Sequence, residues 1–442
     1  MEIFIKPKSF NREITASASK SYEQRFLALS LLTGEKTVLK SFGNSADVIA
    51  ARNIIKTLGC DFFIKNNKLI IKKRKQFSDD YIPTLDCGES GLCARSFVPV
   101  AAVLYKNFIV KASGSLLNRN IYEDYKSLSD FGFNFSSENN NFPFNFYDCE
   151  LKAGNYKIDG KNSSQLVSGL LMALSCLPEP SVLKVENAVS IKYMQMTVDA
   201  LQRFGFQLID EYGETCNFKI YPKRLALDNY KFKIEGDWSG ISNVLVAGAL
   251  IQDIKVKGLN QYSLQADKAI LEVFDLAGVR YKWKNSVLKI FKSRVNSFEF
   301  DATNCPDLIP AIVILAVFAK GKSLIHGISR LKNKESSRAE VLQKELAKAG
   351  ITLQIDGDAM IIQGEQKPNF AVLDSNGDHR MAMAFSILGL NSENGIKITN
   401  ADVVEKSWAN YWDELIQLKV KSDALNVVEV LKVEPSLRAH RR

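Results

Sequence analysis

No Cys-x-x-Cys pair and no zinc-ligand spacing occurs among the seven cysteines of the chain. An odd number of cysteines without paired spacings argues against a disulfide framework and against a structural metal site. Cys93, Cys176 and Cys305 stand in apolar runs, where a thiol serves as a small core residue. A reducing, cytoplasmic setting is expected. The opening MEIFIKPKSF lacks the basic start and long apolar stretch of a secretory signal. The longest apolar run, residues 308–319, suits a buried helix and is too short to cross a bilayer. Nor is there a long basic tract. The net charge of +9 comes from 58 basic and 49 acidic residues, but the lysines lie scattered in short groups such as KKRK at 72–75. A nucleic-acid protein would carry a continuous basic stripe with aromatics. Neither nucleic acid nor membrane is expected as a partner, which leaves an acidic small molecule as the use for any cations that converge.

What the chain does have is a repeat. Its 442 residues suffice for two or three domains, and 46% hydrophobic with 24% charged residues is ordinary for a globular protein. A helix ending at a glycine, then a short alternating hairpin, recurs around Gly59, Gly132, Gly205, Gly278 and Gly350, at spacings of 73, 73, 73 and 72 residues. One such helix end is common; five in register mark a repeated fold. A second phrase recurs in phase with the first. A small or polar turn opens an apolar helix at Ser19, Glu89, Ser163, Asp237, Asp307 and Asp378. Several of these helices are apolar almost all round, as helices buried on most sides are. Each unit of about 70 residues reads as a buried helix, a strand, a more amphipathic helix and a hairpin. Six units, the last cut short, fit two domains of three, with a junction near residues 230–235. The stretch beyond Lys421 falls outside the pattern.

If the units are equivalent, their six polar openings gather on common faces. The first opening, TASASKSYEQRFLAL at 15–29, sets Lys20, Ser21 and Arg25 at a helix N-terminus. Unpaired NH groups and the positive end of the helix dipole make that an anion site. The other openings and the loops after them add Arg95, Arg119, Ser163, Ser164, Gln165, Asp237, Asp307, Lys334, Glu335, Arg338, Asp378, Arg380 and Lys406. Taken singly, each has a plainer reading: Lys334 and Glu335 as an exposed pair worth under about 1 kcal/mol, Asp307 and Asp378 as helix caps. Their common phase favours a site. Arginine forks match carboxylate and phosphate, so one or two ligands with several negative charges are expected. Two cations about 5 Å apart repel by roughly 3 kcal/mol at an effective dielectric near 20. An empty cleft lined by many is expected to open, and to close on anionic ligands.

These motifs resemble the 5-enolpyruvylshikimate-3-phosphate (EPSP) synthase family. The resemblance rests on SASKSYEQR at 17–25, CGESGLCAR at 87–95, DGKNSSQ at 159–165, SIKY at 190–193, EGDWSG at 235–240, PD at 306–307, KESSR at 334–338, GDHRMAM at 377–383 and EKSW at 405–408. It implies an α/β (α+β) fold of two domains, each three βαβαββ units around buried helices, with the active site in the cleft between them. Residues 1–16 with 232–421 would form the phosphoenolpyruvate side, 17–231 the shikimate 3-phosphate side, and 422–442 a tail. The implied reaction passes the enolpyruvyl group of phosphoenolpyruvate to the 5-hydroxyl of shikimate 3-phosphate through a tetrahedral adduct. It needs no metal or organic cofactor, and the family is typically monomeric.

By the same resemblance, Lys20, Ser21, Arg25, Ser163, Ser164, Gln165, Ser190, Tyr193, Asp307 and Lys334 bind shikimate 3-phosphate. Lys20, Gly91, Arg119, Gln165, Arg338, Arg380 and Lys406 bind phosphoenolpyruvate, with Arg95 in support. Asp307 takes the hydroxyl proton, Glu335 serves the C3 methylene, and Lys20 assists phosphate departure. Some positions depart from the usual pattern: Glu89 and Leu92 replace an asparagine and a threonine, Arg330 an asparagine, and Asn120 a proline. Glu89 adds negative charge beside an anion site. The sister enzyme, UDP-N-acetylglucosamine enolpyruvyl transferase, uses a cysteine on a loop that corresponds to KASGSLLNRNIYEDY at 111–125, which has none.

Overall fold

The computed structural model describes residues 1–6, 12–78, 80–161, 163–222, 225, 227, 229–332 and 334–417. The tail expected at 422–442 lies outside them. The helices are α1 (Lys20–Thr33), α2 (Ala46–Thr57), α3 (Gly91–Ala102), α4 (Tyr122–Lys126), α5 (Ser164–Leu174), α6 (Ile191–Arg203), α7 (Trp238–Leu250), α8 (Ile270–Ala277), α9 (Ile309–Phe318), α10 (Arg338–Lys348), α11 (His379–Leu390) and α12 (Tyr411–Gln417). The helices apolar all round are the buried ones: every residue of α3 and α11 is inside, and all of α9 but Phe318. α1, α3 and α5 pack together, as do α7, α9 and α11. Gly169 lets α5 approach α3 closely, since a Cβ there would lie 2.6 Å from the Ser96 carbonyl.

Six small sheets surround these helices, and they share one plan. In the second unit the strand before α3 (Thr84–Asp86) lies parallel to the strand after it (Phe108–Lys111). The hairpin then adds Phe144–Tyr147 antiparallel to the latter, with Asn134–Ser137 at the edge. A parallel pair needs a crossover, which the buried helix supplies. The five repeat glycines all have positive φ, from 73° to 110°, a region that an L side chain disfavours.

Two strands are exchanged between the halves of the chain. Glu13–Thr15 precedes α1 yet pairs in parallel with Ile254–Lys257, and Tyr230–Lys233 precedes α7 yet pairs in parallel with Thr37–Lys40. The chain therefore crosses twice, at residues 16–19 and 234–237, where Ala18 and Gly236 form an antiparallel bridge. The sixth unit is short, as expected. Ile3–Ile5 takes the place of its hairpin, antiparallel to Ile396–Thr399.

Buried hydrophobic residues form two cores. One runs from Tyr22 to Ile234; the other joins Ile3, Ile5, Ile14 and Ala16 to residues between Trp238 and Leu415. Each buried Leu, Ile, Val or Phe contributes about 1.5–3 kcal/mol, so each core is self-sufficient in apolar packing. All seven cysteines are free. Among the described residues, no helix is long and apolar enough to cross a membrane.

Two expected helix openings differ in detail. α3 is capped by Ser90, whose hydroxyl accepts from the Cys93 amide at 3.3 Å, and not by Glu89. Asp307 is not a cap: it sits in a 3-10 turn, Pro306–Leu308, ahead of α9. Its carboxylate is taken by cations instead.

Candidate active site

The six helix openings converge on one cleft of about 410 Å³ between the two cores. Lys20 and Ser21 of α1, Gly91 of α3, Ser164 and Gln165 of α5, Ser239 and Gly240 of α7, Asp307 before α9, and His379 and Arg380 of α11 all face it. Arg119, Ser163, Ser190, Tyr193, Lys334 and Glu335 complete the set that the resemblance implicates. Arg338 and Lys406 do not line it. They stand one layer behind, Arg338 almost fully buried, and reach the cleft through Glu335.

On the first wall Arg25 is 2% exposed. Its Nε donates to Thr197 Oγ1 at 2.8 Å, Nη1 to the Ser21 carbonyl at 2.8 Å, and Nη2 to Ser168 Oγ at 3.1 Å and the Tyr193 carbonyl at 3.0 Å. Hydroxyls and carbonyls fix its plane, and no carboxylate among the described residues pairs with it. Burial without a counter-ion pushes its pKa down to about 10. Arg95 donates to Asp124 at 2.6 Å and to Gln165 Oε1 at 3.1 Å, orienting that amide beside Gly91. Lys20 Nζ lies 2.9 Å from Asp47. Burial opposes its charge, but Asp47 more than offsets this, and its pKa sits above the ordinary lysine value. Lys20 is therefore a cation and a donor, not a base.

The second wall is an ion network. Asp307 meets Arg338 at 2.7 Å, Arg380 at 3.1 Å and Lys334 at 3.3 Å. Glu335 meets Arg338 at 2.8 Å, Arg119 at 3.0 Å and Lys406 at 3.7 Å. Burial favours the neutral acids, yet the facing cations hold both carboxyls well below the usual range. Asp378 anchors the assembly: it caps α11 through the Arg380 amide at 2.9 Å and holds Arg338 Nε at 2.7 Å. The cations are thus not bare, and the repulsion expected to open an empty cleft is largely cancelled by Asp307 and Glu335. Glu89 is also neutralised. It accepts from the Ser115 hydroxyl at 2.6 Å and lies 3.5 Å from Lys406, and these partners outweigh burial and lower its pKa. Its charge closes an ion pair across the cleft instead of repelling an anion.

Several residues of the site carry no individual signal in the sequence. Asp47 lies 27 positions from the lysine it neutralises. His379 is visible only as the neighbour of Arg380; it is buried, its ring nitrogens make no hydrogen bond although Nδ1 lies 3.8 Å from Asp378, and burial followed by the nearby Arg380 and Lys20 holds it neutral. Asp267 accepts the Ser239 hydroxyl beneath the cleft. Burial, then the Asp307 charge, push its pKa up to about 7.

The comparisons with known proteins point to one family. The EPSP synthase (3-phosphoshikimate 1-carboxyvinyltransferase) family model matches residues 5–415. The chain belongs to the EPSP synthase family. The 3-phosphoshikimate 1-carboxyvinyltransferase of Clostridium acetobutylicum is 30% identical over 419 residues, covering 94% of this chain and 96% of that one. The Pyrococcus furiosus enzyme of the same name is 30% identical over 417 residues, covering 94% and 98%. The solved EPSP synthase of Acinetobacter baumannii superposes with a TM-score of 0.75 at 20% identity, over 93% of this chain and 97% of that one. The enolpyruvyl transferase NikO of Streptomyces tendae gives 0.74 at 12% identity, over 94% and 97%. At those identities the structures speak to the fold alone.

For an EPSP synthase family member, Gly91 offers a direct test of the site. A Cβ on Gly91 would lie 2.8 Å from Arg119 Nη1 and 3.0 Å from Arg95 Nη1. Both are tips of flexible side chains, so Gly91→Ala is expected to fold normally and displace the Arg119 guanidinium. The expected kinetic result is a roughly 5–50-fold rise in KM for phosphoenolpyruvate, as loss of part of a charge-assisted contact implies. KM for shikimate 3-phosphate is expected to change by less than about threefold. Equal effects on both would misplace Gly91.

Proposed function

We propose that this chain transfers the enolpyruvyl group of phosphoenolpyruvate to the 5-hydroxyl of shikimate 3-phosphate, giving EPSP and phosphate on the route to aromatic amino acids. The observation that carries the reading is one cleft with two unlike walls. One presents a buried arginine without an acid partner beside serine hydroxyls. The other presents two carboxylates clasped by four of its own cations and by Arg119 reaching over from the first. The first suits a phosphorylated acceptor, the second an anionic donor and its proton transfers.

In this reading Arg25, Ser21, Ser163, Ser164 and Ser190 hold the acceptor, with Tyr193 and Lys334 beside it. Arg119 and Arg380 take the donor's charges, Arg338 and Lys406 act from behind through Asp307 and Glu335, and Gln165 and Gly91 shape the donor's seat. As found, Asp307 and Glu335 are poor bases, because their cations hold the charged forms too firmly. An anionic donor competes for those same cations. Each that turns toward the donor returns proton affinity to a carboxylate, so phosphoenolpyruvate itself makes the site basic. Asp307 then removes the 5-hydroxyl proton as the oxygen attacks C2. Glu335, having taken up a proton, delivers it to C3 and takes one back as phosphate leaves. Lys20, charged, neutralises the departing phosphate.

The two apolar cores support two mobile domains, residues 1–16 with 232–421 and 17–231, hinged at the paired crossings. Seven free thiols suit a reducing cytoplasm, and a monomer is the working unit that the family resemblance implies. Phosphate release is the test. Release from phosphoenolpyruvate with shikimate 3-phosphate as acceptor, and none with UDP-N-acetylglucosamine, is expected. The opposite pattern assigns the chain to the sister reaction.

A further inference from the structure

We infer that Gln265 is a positioning residue: its side-chain amide keys the first turn of α1 to the first turn of α7, and so sets where Lys20 and Ser21 stand relative to the second wall. The role rests on the proposed reaction, but the residue lies behind the cleft and does not line it. Gln265 precedes the 3-10 turn Ala266–Ala269 and is 5% exposed.

The amide sits where the chain crosses between its halves, and it uses its full hydrogen-bonding capacity there. Oε1 accepts from the Ser19 hydroxyl at 3.0 Å and from the Trp238 amide at 3.1 Å. Nε2 donates to Glu235 Oε1 at 2.7 Å and to the Gly236 carbonyl at 2.8 Å. The partners fix which way the amide points. A carboxylate and a carbonyl only accept, and a backbone NH only donates, so a flipped amide would set oxygen against oxygen. Glu235 is itself held, by Asn260 Nδ2 at 2.8 Å and by the Ser263 hydroxyl. That hydroxyl accepts in turn from the Gln265 backbone NH at 3.1 Å, which closes the frame on itself.

Two of these partners stand one residue from the cleft. Ser19 caps α1 and precedes Lys20 and Ser21; Trp238 opens α7 and precedes Ser239 and Gly240. Those four followers all line the cleft. With its hydrogen given to Gln265, the Ser19 hydroxyl turns its lone pairs toward the α1 amides, and the Tyr22 amide reaches it at 3.5 Å. Backbone bonds hold crossing to crossing: the Ser19 amide donates to the Glu235 carbonyl at 2.8 Å, and the Asp237 amide to the Ser17 carbonyl at 2.7 Å. Gln265 fastens that pair to the body of the second half, whose core includes Ala266 beside it. Without the amide the crossings can shift together against the second wall, carrying Lys20 and Ser21 with them. A displacement of about 1 Å at a reacting group costs on the order of 100-fold in rate.

The test compares wild type with Gln265→Met, Gln265→Glu, and Gln265→Glu combined with Glu235→Gln. It reads kcat and both KM values by phosphate release, and the urea midpoint by fluorescence. Gln265→Met keeps much of the side chain's length and makes none of the four bonds. It is expected to lower kcat about 10–100-fold. KM for phosphoenolpyruvate is expected to stay within about threefold, because Gly91, Arg119 and Gln165 stand on elements that the amide does not touch. Gln265→Glu sets a second carboxylate against Glu235 and loses at least as much. The exchanged pair again faces a donor with an acceptor at unchanged net charge, and is expected to regain about tenfold or more of the kcat lost by Gln265→Glu. It decides the matter alone where Gln265→Met does not fold. Ile362→Ala, fully buried in the hairpin after Gly350, serves as the control: it is expected to destabilise the second core yet hold kcat within about twofold. Three results would make Gln265 a structural strut and overturn the inference. They are a Gln265→Met kcat within about threefold of wild type, an equal loss in Ile362→Ala, and an exchange that restores the urea midpoint but not kcat. Wild-type protein that releases no phosphate with shikimate 3-phosphate removes the proposed reaction instead.

Discussion

Replacing Asp307 with alanine is expected to lower kcat by about 10²–10⁴-fold, the usual worth of a positioned general base. Asp307 is the point at which Lys334, Arg338 and Arg380 meet, so alanine also frees three cations. Asp307→Asn separates the two effects. It keeps the shape and an acceptor oxygen but cannot take the hydroxyl proton. Asparagine is therefore expected to lose kcat almost as fully as alanine, while KM for shikimate 3-phosphate stays within about tenfold. A kcat within tenfold of wild type for Asp307→Asn would exclude Asp307 as the base. The cations give this role a pH signature. Asp307 lies well below the ordinary carboxylate range in the free protein and, in the proposed mechanism, is expected to rise when phosphoenolpyruvate draws them off. The acid limb of kcat, which reports the substrate complex, is expected at higher pH than the acid limb of kcat/KM, which reports the free enzyme.

The largest effect on stability is expected at Asp378. Its carboxylate is fully buried, and it both clasps Arg338 and caps α11. Removing one partner of a buried pair leaves the other charge poorly compensated, at about 3–5 kcal/mol, and losing the cap adds about 1 kcal/mol. Arg338 keeps Asp307 and Glu335, which places Asp378→Ala toward the lower end of that sum. All four tryptophans, Trp238, Trp283, Trp408 and Trp412, pack in or against the second core, which Asp378 serves. Tryptophan fluorescence in urea therefore reads the affected half. A midpoint shift equivalent to about 3 kcal/mol or more is expected, and a shift under 1 kcal/mol would show that the network is not anchored there.

Much of this architecture is legible in the amino-acid sequence, for identifiable reasons. The repeat glycines announce themselves because the left-handed conformation at a helix end constrains residue type, and they recur at one period. The buried helices show because α9 and α11 have no polar face. The convergence of six openings follows from the repeat alone. What is not legible is mostly non-local. The exchange of Glu13–Thr15 and Tyr230–Lys233 between sheets leaves no local mark, since each strand reads the same whichever neighbour it joins. Composition counts charges but does not pair them. That Asp307 and Glu335 neutralise the cations, that Asp47 sits on Lys20, and that Glu89 meets Lys406 and not an anionic ligand all depend on folding. Asp307 shows the difference most plainly: its position reads as a helix cap, yet a 3-10 turn carries its carboxylate into the ion network.

In the proposed reaction this cleft adds the acceptor oxygen to C2 of phosphoenolpyruvate while C3 becomes a methyl group, then eliminates phosphate. Running the reaction in deuterium oxide with shikimate 3-phosphate, and reading the product by proton NMR, tests it most directly. Deuterium in the enolpyruvyl methylene of EPSP, appearing along with free phosphate, is the expected result. Phosphate without EPSP, or EPSP whose methylene carries no deuterium, would contradict it.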